Sequence, residues 1–361
     1  MNNKRFYVDF HVLQTVPPSC VNRDDTGSPK TAVYGGSTRA RVSSQAWKQA
    51  MRKYFAENFP EDVLAKRSKK LISCIAQEIQ SLSTSFSPED SEKMAKKALE
   101  NAGLKTKKEK NKPEELDALF FISMAQVKAL ARLAADKAED KAEYKKALKD
   151  NPNFEVILFG RMVAADPSLN YDAASQVAHS ISTHAVHGEY DYFTAVDDLA
   201  PEDNAGAGHL GTVEFNSSTL YRYATVNIME LNKWLGKDTP WVVRAFADAF
   251  INSMPTGKQN TFANRTRPDA VYITLRSDQP VNFSGAFEEA ILSKSGYSKP
   301  SIAKLAAYAQ ESYKNFVTKP ILSLAVGEGL DMLCNTQSLP EVLDKLETSI
   351  HDMCNETGEE K

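Results

Sequence analysis

Acidic residues are missing from one stretch of this chain. Asp and Glu outnumber Lys and Arg by 47 to 44 overall, yet none occurs between Thr26 and Ala56. Cysteine is also scarce. Cys20, Cys74, Cys334 and Cys354 lie far apart without metal-ligand spacing, so they predict reduced thiols and neither a disulfide framework nor a metal knot. No run approaches the roughly 20 apolar residues of a membrane span. The opening MNNKRFYVDFHVLQ has no apolar run suited to a signal peptide, so the expectation is a cytoplasmic protein with no membrane partner. The Asn-x-Ser/Thr match at Asn216 then carries no glycosylation meaning. No repeat of fixed period is present, and 361 residues predict one large domain with insertions, or two domains.

What the acid-free stretch does contain is Lys30, Arg39, Arg41, Lys48, Arg52 and Lys53. A local basic patch raises the nearby concentration of polyanions, whatever the net charge of the whole. Gly35-Gly36 lets backbone approach a ligand closely, and Ser43 or Ser44 offers an N-cap to a helix whose first turn can face an anion. Trp47, Ala50, Met51 and Tyr54 follow the spacing of a buried stripe. Gln45, Lys48, Gln49 and Arg52 form a polar stripe roughly opposite. Composition alone leaves a solvated helix face and a phosphate-binding face both open.

Phe6, Val8, Phe10 and Val12 alternate with Tyr7, Asp9, His11 and Leu13 as in a strand. A Lys/Glu-rich helical region follows from Pro60 to Lys149, with Lys105–Pro113 as a solvated linker. Strand-like runs return at Phe154–Ala164, Thr219–Met229 and Ala270–Leu275. Helical patterns cover Tyr171–Thr183, Trp241–Ser253, Phe283–Leu292 and Ser301–Phe316, and the tail from Asp352 reads as frayed. This order predicts an α+β core carrying insertions, compatible with a ferredoxin-like βαββαβ arrangement.

Several motifs invite catalytic readings. Gly206-Ala207-Gly208-His209-Leu210-Gly211 matches G-x-G-x-x-G, but a dinucleotide site needs a strand before it and a helix after it. Here a polar segment precedes it and β-prone Thr212–Phe215 follows, which predicts a hairpin loop and weighs against a nucleotide-binding enzyme. His179, His184 and His187, with Glu189 and Asp191, could serve a metal-dependent RNA endonuclease that processes precursor RNA. His179 and His184 are five apart, off the same-face spacing of helical ligands, so hydrogen-bonding histidines are the expectation. Asp24-Asp25 and Asp197-Asp198 fit loop acids that satisfy backbone donors or a neighbour such as Arg23.

SCVNRDD, YGG, RARVSSQ and KQAMRK, between Ser19 and Lys53, resemble the start of the CasC-type backbone subunits of type I-E CRISPR Cascade complexes. GRMVA (Gly160–Ala164) and HAVHGEYDYFTAVDDL with HLGTVEFNSSTLYRYATVNI resemble later segments of the same family, in family order. The resemblance implies a modified ferredoxin-like, RNA-recognition-motif-like palm with a helical insertion and a β-hairpin thumb. It divides the chain into palm (1–59, with the basic clamp helix), helical insertion (60–150), palm again (151–188), thumb (189–218), and remaining palm with C-terminal helices (219–361).

The implied function is a non-catalytic subunit that polymerises head-to-tail along a CRISPR guide RNA beside other Cascade subunits. Specificity for target DNA then comes from base pairing. No cofactor or metal is implied. The expected RNA-backbone contacts are Asn22, Arg23, Lys30, Arg39, Arg41, Ser43, Gln45, Lys48, Gln49, Arg52, Lys258 and Gln259. The resemblance places Met162 and Phe193 where apolar side chains wedge against a displaced nucleotide, with Thr194, His209, Leu210 and Thr212 on the thumb. Lys137, Lys141 and Lys145 are possible DNA contacts, although they alternate with acids as on a salt-bridged solvated helix.

Overall fold

The computed structural model describes residues 5–83, 85–195 and 209–358, in two compact units. The first contains residues 5–54, 176–195, 209–229 and 237–358; the second contains 55–83, 85–175 and 230–236.

A large antiparallel sheet organises the first unit. Its strands are β1 (Tyr7–Ser19), β2 (Thr31–Tyr34), β3 (Ser37–Val42), β4 (Ser175–Val177), β5 (Ser180–Ser182), β6 (Glu189–Ala195), β7 (His209–Asn227), β8 (Ala270–Arg276) and β9 (Leu322–Val326). The main path runs β9-β8-β1-β7-β5-β3-β2, antiparallel at every step, and β4 and β6 also pair with β7. Four main helices accompany it: α1 (Ser44–Asn58), α2 (Thr239–Asn252), α3 (Ser298–Asn315) and α4 (Leu339–Gly358). The β1–β7 register slips between Val16 and Ser19, where Pro17 and Pro18 have no N–H to give the ladder.

The alternation in β1 predicts a strand, and the structure covers both of its faces. On one face Phe10 meets Phe246 and Phe250 of α2 at ring distances of 5.5 and 6.2 Å. On the other, Leu13 joins Tyr272, Phe283 and the α3 residues Leu305, Ala306 and Ala309 in one apolar cluster. Asp9 and His11 are buried on that face. Asp9 Oδ1 accepts from the Tyr223 hydroxyl (2.9 Å) and Oδ2 from the Val281 amide (2.8 Å). The His11 ring stacks on Phe283 at 4.5 Å and shares a 2.9 Å hydrogen bond with the Tyr221 hydroxyl.

The second unit is mainly helical: Leu71–Leu82, Pro88–Asn101, Met124–Ala135, Lys141–Lys149 and Phe154–Phe159. Ser87 caps the second of these with Pro88 at its first position, and Ser123 with Gln126 forms a capping box on the third. Leu71, Ile75, Ile79, Leu99, Val127 and Leu130 build its core. No helix among the described residues is long and apolar enough to cross a membrane.

Several sequence expectations need correction. Phe154–Ala164 is not a strand: Phe154–Phe159 is a helix, because the Asn153 side chain accepts from the Val156 amide and Gly160, at φ 76°, ends it. A short apolar run does not distinguish the two by periodicity. Tyr171–Thr183 is not a helix but contains β4 and β5, since β5 is captured between β3 and β7. Phe283–Leu292 holds one 3-10 turn, Phe283–Phe287. The tail at Asp352 continues α4 to Gly358. The helical unit spans Phe55–Ser175 and Glu230–Gly236. Packing explains this: Phe154 lies 5.2 Å from Phe55, and Tyr171 lies 5.1 Å from Trp234.

Burial pushes the His11 imidazole down to about 3 and the Asp9 carboxyl up to about 6. Below pH 6.5 the unfolded chain therefore binds a proton at His11 that the folded chain refuses. Stability is lost as pH falls toward 3, by at most about 1.4 kcal/mol per pH unit. Asp9 has the opposite sign: its contribution is full below 3.8 and lost as pH rises through about 6. In urea unfolding, the stability of His11→Phe relative to the parent should rise steadily as pH falls from 6.5. Parallel pH profiles for the two proteins would refute this account of His11.

Candidate nucleic-acid interface

The basic face is assembled around the start of α1. Gly35 and Gly36, with φ of 55° and 74°, make the tight turn between β2 and β3. Ser43 Oγ accepts from the Ala46 amide (3.3 Å), which caps α1 as its position predicts. Asn22 works from behind: its Oδ1 accepts from the Ser43 amide at 2.8 Å, tying the Cys20–Lys30 loop to the helix start. Asp24 Oδ1 accepts from the Thr26 amide (2.9 Å), the Thr26 hydroxyl (2.7 Å) and the Ser28 amide (3.0 Å). These bonds, that of the Thr26 hydroxyl first, hold the Asp24 carboxyl below the usual carboxylate range. The acid thus organises the loop that carries Arg23.

A cleft of about 540 Å³ opens beside this loop, lined by Asn22, Arg23, Gln49, Lys53 and Gly257 among others. Arg23, Gln45, Gln49 and Lys53 are exposed; Lys30, Lys48 and Arg52 are half-buried. Partial burial lowers the Lys48 ammonium, and an anion nearby would favour its charged form. Arg41 donates from Nε to the Thr31 carbonyl at 3.0 Å, and its Nη1 lies 3.2 Å from His179 Nδ1. The loop before Lys258 closes on the same region, since a Cβ on Gly257 would fall 2.4 Å from the Val21 carbonyl oxygen. Lys258, at φ 51°, and the exposed Gln259 follow at the edge of that contact.

Arg39 is a correction. It was expected on the clamp, but it is completely buried. Its guanidinium donates to Ser37 Oγ (2.8 Å), the Ser182 carbonyl (3.0 Å) and the carbonyls of Phe287 (3.0 Å) and Glu288 (3.1 Å). Of these four neutral acceptors two pin the β2–β3 hairpin to residues 287–288 and one to β5, so Arg39 is a buried brace and not a surface donor for a phosphate.

In the second unit Met162 is 84% exposed while its neighbour Arg161 is buried. Arg161 donates to the carbonyls of Leu169 (3.0 Å), Phe121 (3.1 Å) and Leu148 (2.8 Å). Its guanidinium lies 4.6 Å over Phe120 and 4.9 Å over Tyr171, and burial pushes it down to about 10. Paired backbone bonds between Arg161 and Tyr171 complete a rigid mount beneath an exposed thioether. Sequence reasoning missed Arg161; an arginine wedged in the apolar run FEVILFGRMVA was the available signal.

In the first unit β6 and β7 form a hairpin that carries Phe193 and Thr194, both exposed, with Thr212 exposed opposite Tyr192. The side chains of His209 and Leu210, and residues 201–208, expected as a loop, lie outside the described residues. Residues Thr212–Phe215 continue β7. A helix would be needed there for a dinucleotide site. His184 donates or accepts at both nitrogens, to the Ala185 carbonyl (2.9 Å) and from the Thr219 amide (3.1 Å). Among the described residues no three or more His, Cys, Asp or Glu side chains converge as a metal-ligand set. Lys137 and Lys141 are exposed, whereas Lys145 pairs with Asp166 at 2.9 Å.

Residues 8–354 match the family described as CT1975-like protein, a Cas family. The chain belongs to the CT1975-like Cas family. No curated protein matches it. Among solved structures, it resembles a chain of a "CRISPR RNA-guided surveillance complex, pre-nicking" at 33% identity and a TM-score of 0.87, covering 95% of this chain and 100% of that one. A chain of another "CRISPR RNA-guided surveillance complex" matches at 28% identity and a TM-score of 0.75, covering 95% and 99%.

The contrast between Arg161 and Met162 is measurable in the free protein of this CT1975-like chain. Arg161→Ala removes three carbonyl hydrogen bonds from a charged donor, each worth about 1.5–3 kcal/mol, and should cost at least about 3 kcal/mol. Met162→Ala should stay within about 0.5 kcal/mol, as for a surface substitution. Thermal melts of both variants check this, and a Met162→Ala loss equal to that of Arg161→Ala would place the thioether in the core.

Proposed function

We propose that this chain is a non-catalytic backbone subunit of a type I-E Cascade-like CRISPR complex, acting in the cytoplasm. It clamps guide RNA without reading its sequence, joins further copies head-to-tail and exposes bases for pairing with target DNA. The observation that carries this is the near-complete likeness, over 95% of the chain, to a subunit of a CRISPR RNA-guided surveillance complex. The basic residues around the start of α1, beside a cleft that Arg23 and Lys53 share with Asp24 and Asp25, give that likeness a chemical site. Phosphate clamping by Arg23, Lys30, Arg41, Lys48, Arg52 and Lys258, with Gln45, Gln49 and Gln259 as neutral donors, supplies affinity that every sequence shares.

Strand order supports a ferredoxin-like, RNA-recognition-motif-like palm. The chain order β1-α1-β5-β7-α2-β8 is βαββαβ, and in the sheet β8-β1-β7-β5 lie side by side. On this reading the second unit is the helical insertion and the β6–β7 hairpin is the thumb. Phe193 and Met162 serve as wedges: both are exposed, and neither a phenyl ring nor a thioether selects a base. Lys137 and Lys141 remain available to target DNA. Head-to-tail contact between copies is heterologous, and such contacts build a helical array when they do not close.

Co-expression with guide RNA tests the reading, with the bound RNA recovered and sized. Intact, protected RNA of unrelated sequences is expected; shortened RNA whose cutting stops with chelator would show a nuclease instead. Arg23→Ala with Lys48→Ala should weaken retention of different guides about equally. The salt dependence should flatten by roughly 0.7 per lost phosphate contact, the value for single strands. Loss of affinity for only some sequences would show that these residues read bases.

A further inference from the structure

We propose that Gly211 is a positioning residue for Phe193, its missing side chain being the seat on which the phenyl ring lies. The inference rests on the proposed wedge role of Phe193 and adds a residue to it. In the β6–β7 ladder Phe193 stands directly opposite Gly211, the pairing in which side chains on one face touch. A Cβ on Gly211 would fall 2.4 Å from Cζ of Phe193, 2.8 Å from Cε1 and 3.0 Å from Cε2. Those three atoms are the far end of the ring. The ring is laid across the ribbon onto glycine backbone, and it does not stand up from the sheet.

The backbone itself does not ask for glycine there. Gly211 is not among the glycines of positive φ, so an L-residue fits its conformation without strain. The ring is what fills the space a side chain would take, the way an aromatic covers a glycine across two strands. Exposure agrees. On the opposite face of β6, Tyr190 and Tyr192 face Glu214 and Thr212 and are 69% and 64% exposed, whereas Phe193 is 41% exposed. The glycine seat sets the height and tilt of the ring, the two quantities that decide how far a wedge enters a base stack.

A methyl group at 211 meets only the movable end of a side chain, so the hairpin survives and the ring lifts into another rotamer. The test compares the parent, Gly211→Ala, Phe193→Ala and the double variant. Each is assembled on guide RNA and probed with a base-reactive reagent, and the free parent and Phe193→Ala are also glycine-labelled for NMR. In the free parent the Gly211 Hα resonance should be ring-shifted, and it should return to its ordinary position in Phe193→Ala. Gly211→Ala should melt within about 2 °C of the parent, as a surface change does. Its assemblies should lose the periodic contrast of reactive nucleotides. The double variant should be no worse than Phe193→Ala, because the glycine acts only through the ring. A parental probing pattern in Gly211→Ala overturns the proposal, as does a double variant worse than Phe193→Ala. An unshifted Gly211 resonance overturns the seat alone. A parental pattern in Phe193→Ala overturns the wedge reading, and this role of Gly211 falls with it.

Discussion

One buried guanidinium holds together the elements that carry the basic face. Arg222 of β7 lies 3.8 Å over the Trp47 ring of α1, and it donates to Gln14 Oε1 of β1 at 2.6 Å and to the Phe250 carbonyl of α2. Four elements therefore meet at one planar cation. Burial pushes it down to about 9, still protonated near neutrality. Trp47 is fixed a second time through its Nε1, which donates to Ser180 of β5 at 2.9 Å. The polar stripe of α1 can face outward in one orientation only because its apolar stripe is locked in this way.

Arginines in this protein divide into two kinds, and sequence does not label them. Arg39, Arg161 and Arg222 are buried; the first two bind several backbone carbonyls each, and Arg222 binds one carbonyl and the Gln14 side chain. A planar fork with five donors suits this work, which a lysine could not copy. Arg23 and Arg267 are exposed. Within RARV at Arg39–Val42 the two kinds sit two residues apart on β3, with Arg39 inside and Arg41 half-exposed.

The long periodic elements were legible because local pattern and tertiary demand agree in them. The stripe of Trp47, Ala50 and Met51 and the alternation of β1 are such cases. Legibility failed where partners distant in sequence decide. The pairing of β5 with β3 and β7 overrides the helical look of Tyr171–Thr183, and the Asn153 cap turns a strand-like run into a helix. The basic face was legible as charge, Asn22 was expected as an RNA contact, and Asp24 and Gly257, which shape the adjoining loops, were legible only as loop residues. Arg39 was misplaced because it shares a strand face with Arg41, and only carbonyls distant in sequence, of Ser182, Phe287 and Glu288, bury it.

Alternation in the β6–β7 hairpin has a consequence for how this segment can change length. Side chains on β6 take opposite faces in turn, with Phe193 over Gly211 on one and Tyr190 and Tyr192 on the other. Inserting or deleting one residue between Gly188 and Phe193 would turn the phenyl ring to the tyrosine face and separate it from its glycine. A two-residue change would keep the face and shift only the reach. Related hairpins should therefore differ in length here by even numbers, so that the geometry of a single ring sets a rule of parity on the gaps in an alignment.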